Sequence, residues 1–316
     1  MANPKTKLSI DRRQVGLAIL FILALYVLLP QISGFKDSWR LLGHIAPAWT
    51  LFAVCLALST YIFAALTYYL LSFQRIRYLE ALLVQFAATL MNRLLPAGVG
   101  GLGANYAYLR HRRHNLAQAA SVVAMNNLLG LIGHILIILV VLALTSDYSR
   151  NLAISSGHSA TTPIRLIIGL SIVGVLAAII FGRKRLKRTF MNVLKQIVAY
   201  RQRPWRLSVA LLSSMSLTLC SVLTLYSCIN ALGVHLPVLV VILIFTFGLG
   251  AGTATPTPGG LGGFEAGLVA GFVAYHVDSS SALAIALLFR FITYWLTLLL
   301  GIFAFVISQR RHLFET

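Results

Sequence analysis

The chain has 316 residues, 59% of them apolar and only 10% charged, with a mean hydropathy of +0.86. Soluble chains carry about a quarter charged residues, so a soluble globule is excluded. The 26 Lys and Arg against 7 Asp and Glu leave a formal net charge of +19, whose meaning depends on where it lies relative to a membrane.

A helix that crosses the hydrocarbon layer needs about 20 mostly apolar residues. In chain order, the first apolar run is Val15 to Leu29, within a span over 14–30. It follows basic residues, but Pro30, Gln31, Ile32, Ser33 and Gly34 give no small-x-small cleavage site, so it reads as a retained anchor. Further spans are expected at 47–72, 116–145, 164–182, 207–232 and 282–308. Two regions, 79–109 and 237–276, hold apolar stretches broken by Pro and clustered Gly. They read as re-entrant hairpins, which are tolerated at membrane depth where they are buried in protein or line a wet cavity. The expected fold is an all-α integral membrane protein forming a single domain over 1–316, with about six full spans plus two re-entrant helical hairpins. Cys55, Cys220 and Cys228 are too scattered for a disulfide framework or thiolate cluster, and no metal site or cofactor is expected.

Six crossings put both termini on one side, and basic residues should then concentrate in the loops of that side. Twenty of the 26 do, including nine between Arg183 and Arg206, whereas Lys36, Arg40, Arg150 and Arg165 fall on the other. The termini are therefore expected in the cytoplasm. Arg183, Lys184, Arg185, Lys187 and Arg188 open an acid-free segment with apolar residues at helical spacing, which suits contact with an anionic leaflet.

Gly100-Gly101-Leu102-Gly103 recurs as Gly259-Gly260-Leu261-Gly262, after Pro96 in one case and Pro256 and Pro258 in the other. Each motif sits between two long spans, which defines repeat halves at about 47–145 and 207–308, joined by a span and basic loop over 164–206. The charge assignment opens the first hairpin to the cytoplasm and the second to the outside, an inverted repeat. Interrupted segments at matching positions of two inverted halves point to a binding site near the bilayer midplane. Gly and Pro would end the helices there and leave backbone amides for an anionic group.

Arg93, Glu265 and Arg290 fall at membrane depth, where a charge costs about 2.5–3.5 kcal/mol unless paired or hydrated. A Glu265–Arg290 ion pair is plausible from the spacing. Arg93 and Arg290 could hold a phosphate or other anionic lipid head together with the hairpin amides, while Glu265 supplies the counter-charge or grips a cationic head. Asn92, Asn105, Asn126 and Asn127 could line a hydrated path, while His111 and His114 belong to a basic cluster that reads as a solvated loop. No nucleophile triad, P-loop or dinucleotide fingerprint is present, so no enzyme is expected.

Pro256-Thr257-Pro258-Gly259-Gly260-Leu261-Gly262-Gly263-Phe264-Glu265-Ala266-Gly267, followed by Phe289-Arg290-Phe291-Ile292-Thr293-Tyr294-Trp295, closely resembles the C-terminal signature of the lysylphosphatidylglycerol synthase/flippase transmembrane family. Asn92-Arg93-Leu94-Leu95-Pro96 looks like that family's first hairpin. The resemblance implies a polytopic bacterial inner-membrane protein with two re-entrant elements, related to the flippase half of the multiple peptide resistance factor. The chain ends at Thr316 without the soluble aminoacyl-transferase domain of those two-part proteins, so synthase activity is not implied. Where that family usually has an acidic residue after the first glycine cluster and an Arg and Asp in the next span, this sequence has Asn105, then Asn126, Asn127 and Gly130.

The leading expectation is a lipid flippase that takes an anionic or zwitterionic head between the two halves. The alternatives are an accessory subunit anchoring a lipid- or glycan-modifying enzyme and, last, an intramembrane lipid-modifying enzyme. Partners are expected to be membrane lipids and not nucleic acid, with oligomerisation left open.

Overall fold

The computed structural model describes residues 41–43, 45–94, 99–155, 200, 204–255 and 257–314. The expected spans at 14–30 and 164–182, the basic segment from Arg183 to Arg188, and Pro96 and Pro256 lie outside the described residues. The described residues form helices and turns, with no strand among them.

Helix α1 (Pro47–Leu71) is followed by α2 (Tyr78–Leu94), α3 (Val99–His111) and α4 (Leu116–Ser155). The order then repeats as α5 (Pro204–Ala231), α6 (Val238–Ala254), α7 (Gly263–Ala274) and a long final helix. That last helix runs from α8 (Ser279–Arg290) through a π-helical turn (Phe291–Leu296) into α9 (Thr297–Arg310). Among the described residues, four segments are long and apolar enough to cross a membrane: Pro47–Leu71, Leu116–Val141, Pro204–Ala231 and Ser279–Arg310. They coincide with four of the six expected spans. Asp278 starts the last one by accepting from the backbone amides of Ser280 and Ser281, a helix N-cap.

The arms of the two hairpins are shorter. At 1.5 Å per residue, α2 and α3, with 17 and 13 residues, rise about 25 and 20 Å. The 17 and 12 residues of α6 and α7 rise about 25 and 18 Å.

Small residues hold the centre together. Ala53, Ala57 and Ala65 of α1 and Ala210 and Ser213 of α5 are buried, and the Ser213 hydroxyl donates to Phe63 O at 2.9 Å. Small side chains let helix backbones approach where lipid supplies no hydrophobic drive between them. The two helices run antiparallel, since Ala46 N donates to Ala231 O at one end while Tyr200, just before α5, donates to Leu71 O at the other. Larger side chains such as Phe272 and Ile285 fill the rest of the core, while others point outward, with Leu51 66% and Phe303 68% exposed, as suits a protein whose solvent is hydrocarbon.

One end of the bundle is strongly basic. Ile76, Tyr108 and Leu313 pack in a common cluster, and Phe73 stacks on Tyr200 with ring centres 4.9 Å apart. These contacts gather Arg75, Arg77, Arg110, Arg112, Arg113, Arg206, Arg310 and Arg311 at the same end. The opposite end, around Ala46, Ala231, His235, His276 and Asp278, carries none of those arginines.

The α3–α4 connection at the basic end differs from the solvated loop expected. His114 is only 1% exposed, its Nε2 accepts from Gln74 N at 3.2 Å and its Nδ1 lies 3.0 Å from Leu109 O. Those partners require a neutral ring with the proton on Nδ1. Glu80 is likewise buried, ion-paired to Arg112 and approached by the Tyr108 hydroxyl at 3.5 Å. The loop is thus pinned to α2 rather than solvated.

Desolvation holds the His114 pKa below its ordinary value, against smaller opposing effects of nearby backbone carbonyls. The unfolded chain therefore binds the extra proton more readily, and stability contributed by the neutral ring is lost as pH falls below about 6.5. Thermal unfolding followed between about pH 8 and pH 5.5 should show the midpoint of the parent dropping on acidification. His114→Gln should lower the midpoint at pH 8 and flatten the acid limb. An equally steep limb in the variant would place the titrating group elsewhere.

Candidate functional site

The site is built around the second glycine turn. Gly259, Gly260 and Gly262 all have positive φ, at 65°, 67° and 83°, a conformation L side chains rarely adopt. The turn aims the carbonyls of Gly259 and Gly260 at Arg290, whose Nη2 donates to them at 3.3 and 3.1 Å. Arg290 Nε lies 2.7 Å from Glu265 Oε1, an ion contact outside the angular range of a hydrogen bond, and both side chains are 12% exposed. The other carboxylate oxygen of Glu265 accepts from Gly262 N at 2.8 Å and caps the start of α7. Arg290 also lies over the Phe264 ring, 4.4 Å from its centre, and Phe264 in turn stacks on Phe289 at 5.7 Å.

Arg93 serves a different structure. The π turn at Phe291–Leu296 interrupts the regular ladder of the last helix at mid-length. Such turns leave carbonyls without their usual i+4 partner. Thr297 bonds two of these carbonyls from within the helix, its hydroxyl donating to Thr293 O at 2.7 Å and its amide to Tyr294 O. Arg93, near the end of α2, adds a charged donor to each: Nη1 to Tyr294 O, and Nη2 to Thr293 O at 2.9 Å, with Nη2 also 3.2 Å from the Thr297 hydroxyl oxygen, which accepts from it. The guanidinium also stacks on the Tyr294 ring, 3.7 Å from its centre. The ring also lies against Gly259, where an added Cβ would come within 2.6 Å of it. Tyr294 therefore joins α2 to the second glycine turn.

The first glycine motif behaves unlike the second. Gly100, Gly101 and Gly103 lie inside α3 with ordinary helical φ instead of ending a helix. A Cβ on Gly100 would overlap the Met91 carbonyl, so this glycine lets α3 sit directly on α2. The amides expected to hold an anion have protein partners: Gly101 N donates to Asn92 Oδ1 at 2.6 Å and Gly262 N to Glu265. In the second turn it is carbonyls facing a cation, rather than amides facing an anion, that define the geometry.

Two adjoining cavities open beside these groups. The larger, about 650 Å³, lies among α1 to α5 and is lined in part by Asn92, Asn105, Asn126, Asn127 and Gly101. The smaller, about 230 Å³, reaches Arg290, Phe264 and Thr293. Thr60, Tyr61 and Ser221 line both. Tyr61, Thr218 and Asn127 stand at mid-length of the apolar parts of α1, α5 and α4, so the larger cavity lies at mid-depth of three crossing helices and extends toward Tyr68 near the basic end. Among the described residues, Arg93 lines neither cavity, which separates it from the anion-binding role expected beside Arg290.

Sequence reasoning missed Gln85, Thr67, Ser214, Thr218 and Ser221, all of which line the larger cavity. The signal was present in part, since Ser214, Thr218 and Ser221 fall on one face of α5 at i, i+4 and i+7. Gln85 donates to Asn105 Oδ1 at 2.7 Å, and Asn105 donates to Gly101 O at 2.9 Å, a buried amide relay between α2 and α3.

Arg93→Ala should remove the charge-assisted bonds to the Tyr294 and Thr293 carbonyls, leaving only Thr297 to bond them, and lower the unfolding free energy by about 2–4 kcal/mol, read as a fall in thermal midpoint in detergent. Arg93→Lys keeps the charge without the planar fork and should recover less than half of that loss. Full recovery by lysine would mean that charge alone, not the forked geometry, supports the π turn.

No curated protein matches the chain at a significant level. The family model described as "Lysylphosphatidylglycerol synthase TM region" matches residues 14–301. That span takes in both hairpins, the glycine turn with Glu265 and Arg290, and the π turn held by Arg93, and the chain belongs to this family.

Proposed function

We propose that the protein is a non-enzymatic flippase or translocase that moves a phospholipid or related polar lipid between the leaflets of the bacterial inner membrane. The observation that carries this reading is the polar cavity at mid-length of three membrane-crossing helices. A lipid head has to cross that depth, and a wet, hydrogen-bonding cavity removes most of the cost of doing so. A cavity of about 650 Å³ is within the ordinary range for a small-molecule site, and its extension toward one end gives a head group a route in.

The same reading makes the two short hairpins re-entrant elements. Their arms fall below a full crossing, and Asn92 and Gly259 near their tips reach groups at mid-depth. It also makes the repeated element order an inverted repeat, with the basic end and both termini in the cytoplasm, as the distribution of arginine favours. Membrane family membership supports a lipid-related role.

Reconstitution into liposomes with fluorescent head-group-labelled phospholipids, followed by reduction of the outer-leaflet label, measures exchange directly. Protein-dependent loss of the protected pool is expected, and an unchanged pool from a folded, correctly inserted preparation would defeat the reading. Arg290→Ala leaves the Glu265 carboxylate buried without its partner and should destabilise by about 3–5 kcal/mol as well as stop transport. The double variant Glu265→Gln/Arg290→Gln removes both charges and should regain stability without regaining transport. If transport returns with stability, the pair only fixes the helices.

A further inference from the structure

The larger cavity is polar without being charged. Among the described residues, no Asp, Glu, Lys or Arg lines it, while Thr, Ser, Asn, Gln and Tyr side chains do. Several of its hydroxyl protons are already committed: Thr67 donates to Phe63 O at 3.0 Å, Thr218 to Ser214 O at 3.4 Å and Ser221 to Leu217 O at 3.0 Å. Their oxygens are left as acceptors facing whatever fills the space. The amides of Asn92, Asn126 and Asn127 add donors and further acceptors at the same cavity.

Such a lining discriminates between head groups. An ammonium would exchange part of its water shell for neutral oxygens without gaining a carboxylate, since the nearby Glu265 is bound to Arg290 and to Gly262 N. A bare phosphate accepts only and would leave the hydroxyl oxygens unmatched. Groups that both donate and accept at closely spaced points match it, and those are hydroxyls. The phosphate of the same lipid finds its cation next door in the smaller cavity, where Arg290 uses Nε and Nη2 on the protein and none of its bonds to described residues involves Nη1.

Resting on the translocase reading above, we infer that the substrate is a phospholipid whose head is an uncharged polyol, of glycerol, inositol or sugar type, with its hydroxyls in the larger cavity and its phosphate toward Arg290.

Native mass spectrometry of the full chain in detergent, titrated with phosphatidylinositol, phosphatidylglycerol, phosphatidylcholine and lysyl-phosphatidylglycerol, tests the inference. Two or more matched hydrogen bonds should make the two polyol lipids bind about tenfold more tightly than the two cationic-headed ones. Asn127→Leu and Thr218→Val, each changing one cavity-lining group, should each reduce that ratio at least about threefold, and their combination should nearly erase it. Equal binding of all four lipids, or a preference untouched by the double variant, would overturn the assignment. Competition by water-soluble glycerophosphoinositol as effective as the intact lipid would overturn the lipid as the source of the head. Transport is scored separately in liposomes. Selective binding without exchange would sink the translocase reading and leave the head-group assignment standing, whereas exchange of phosphatidylcholine at the same rate as phosphatidylinositol would do the reverse.

Discussion

A guanidinium placed inside an apolar bundle must find oxygen atoms, and most of the site's architecture follows from meeting that demand twice. For Arg290, the oxygens come from Glu265 and from two carbonyls of a turn that glycine alone holds easily with positive φ. For Arg93, they come from the carbonyls and hydroxyl of a helix locally wound too wide for its regular ladder, where Thr297 bonds the same carbonyls from within the helix. Each arginine removes a burial cost that the backbone would otherwise carry, and each backbone irregularity removes the cost of burying an arginine.

The two demands are coupled through one side chain. Tyr294 gives its carbonyl and its ring face to Arg93, packs against Gly259 of the turn, and lies with its ring centre 5.6 Å from the Arg290 guanidinium. Since Arg93 belongs to the first hairpin and Gly259 to the second, displacement of either hairpin is felt at the π turn. That turn lies midway along the 32-residue final span, where its interrupted ladder makes bending cheaper than in the regular helix on either side.

Much of this was legible in the sequence, and the rest was hidden for identifiable reasons. Four spans could be read from length and hydropathy because a crossing helix needs about 20 apolar residues wherever it sits. The hairpins showed as apolar runs broken by Pro and Gly. The repeated Gly-Gly-Leu-Gly motif misled, because identical glycines act by opposite means: Gly259 through its φ, Gly100 through the absence of a Cβ next to Met91. The π turn left no trace, since Phe291 to Leu296 carry ordinary helical patterning and the irregularity depends on Arg93, some 200 residues away. The hydroxyl face of α5 was overlooked because Ser and Thr in membrane helices commonly bond their own i−4 carbonyl, and here they do so while also lining the cavity.

The net charge of +19 and the neutrality of the cavity belong to one design. Charge acts over about a Debye length at a membrane surface, and the arginines gathered at one end of the bundle can draw an anionic lipid there without contributing to its recognition. Inside the bundle the same charges would bind too tightly to release, and would be costly whenever the cavity stood empty. On the translocase reading, the Glu265–Arg290 pair at that depth has its charges largely cancelled, which would leave Asn, Gln, Ser and Thr to read the head group by hydrogen-bond geometry. Water satisfies such groups almost as well as a ligand does, so loading and unloading exchange one set of hydrogen bonds for another of similar strength. A translocase site, which would have to bind on one side and let go on the other, would be better served by that balance than by a strong field.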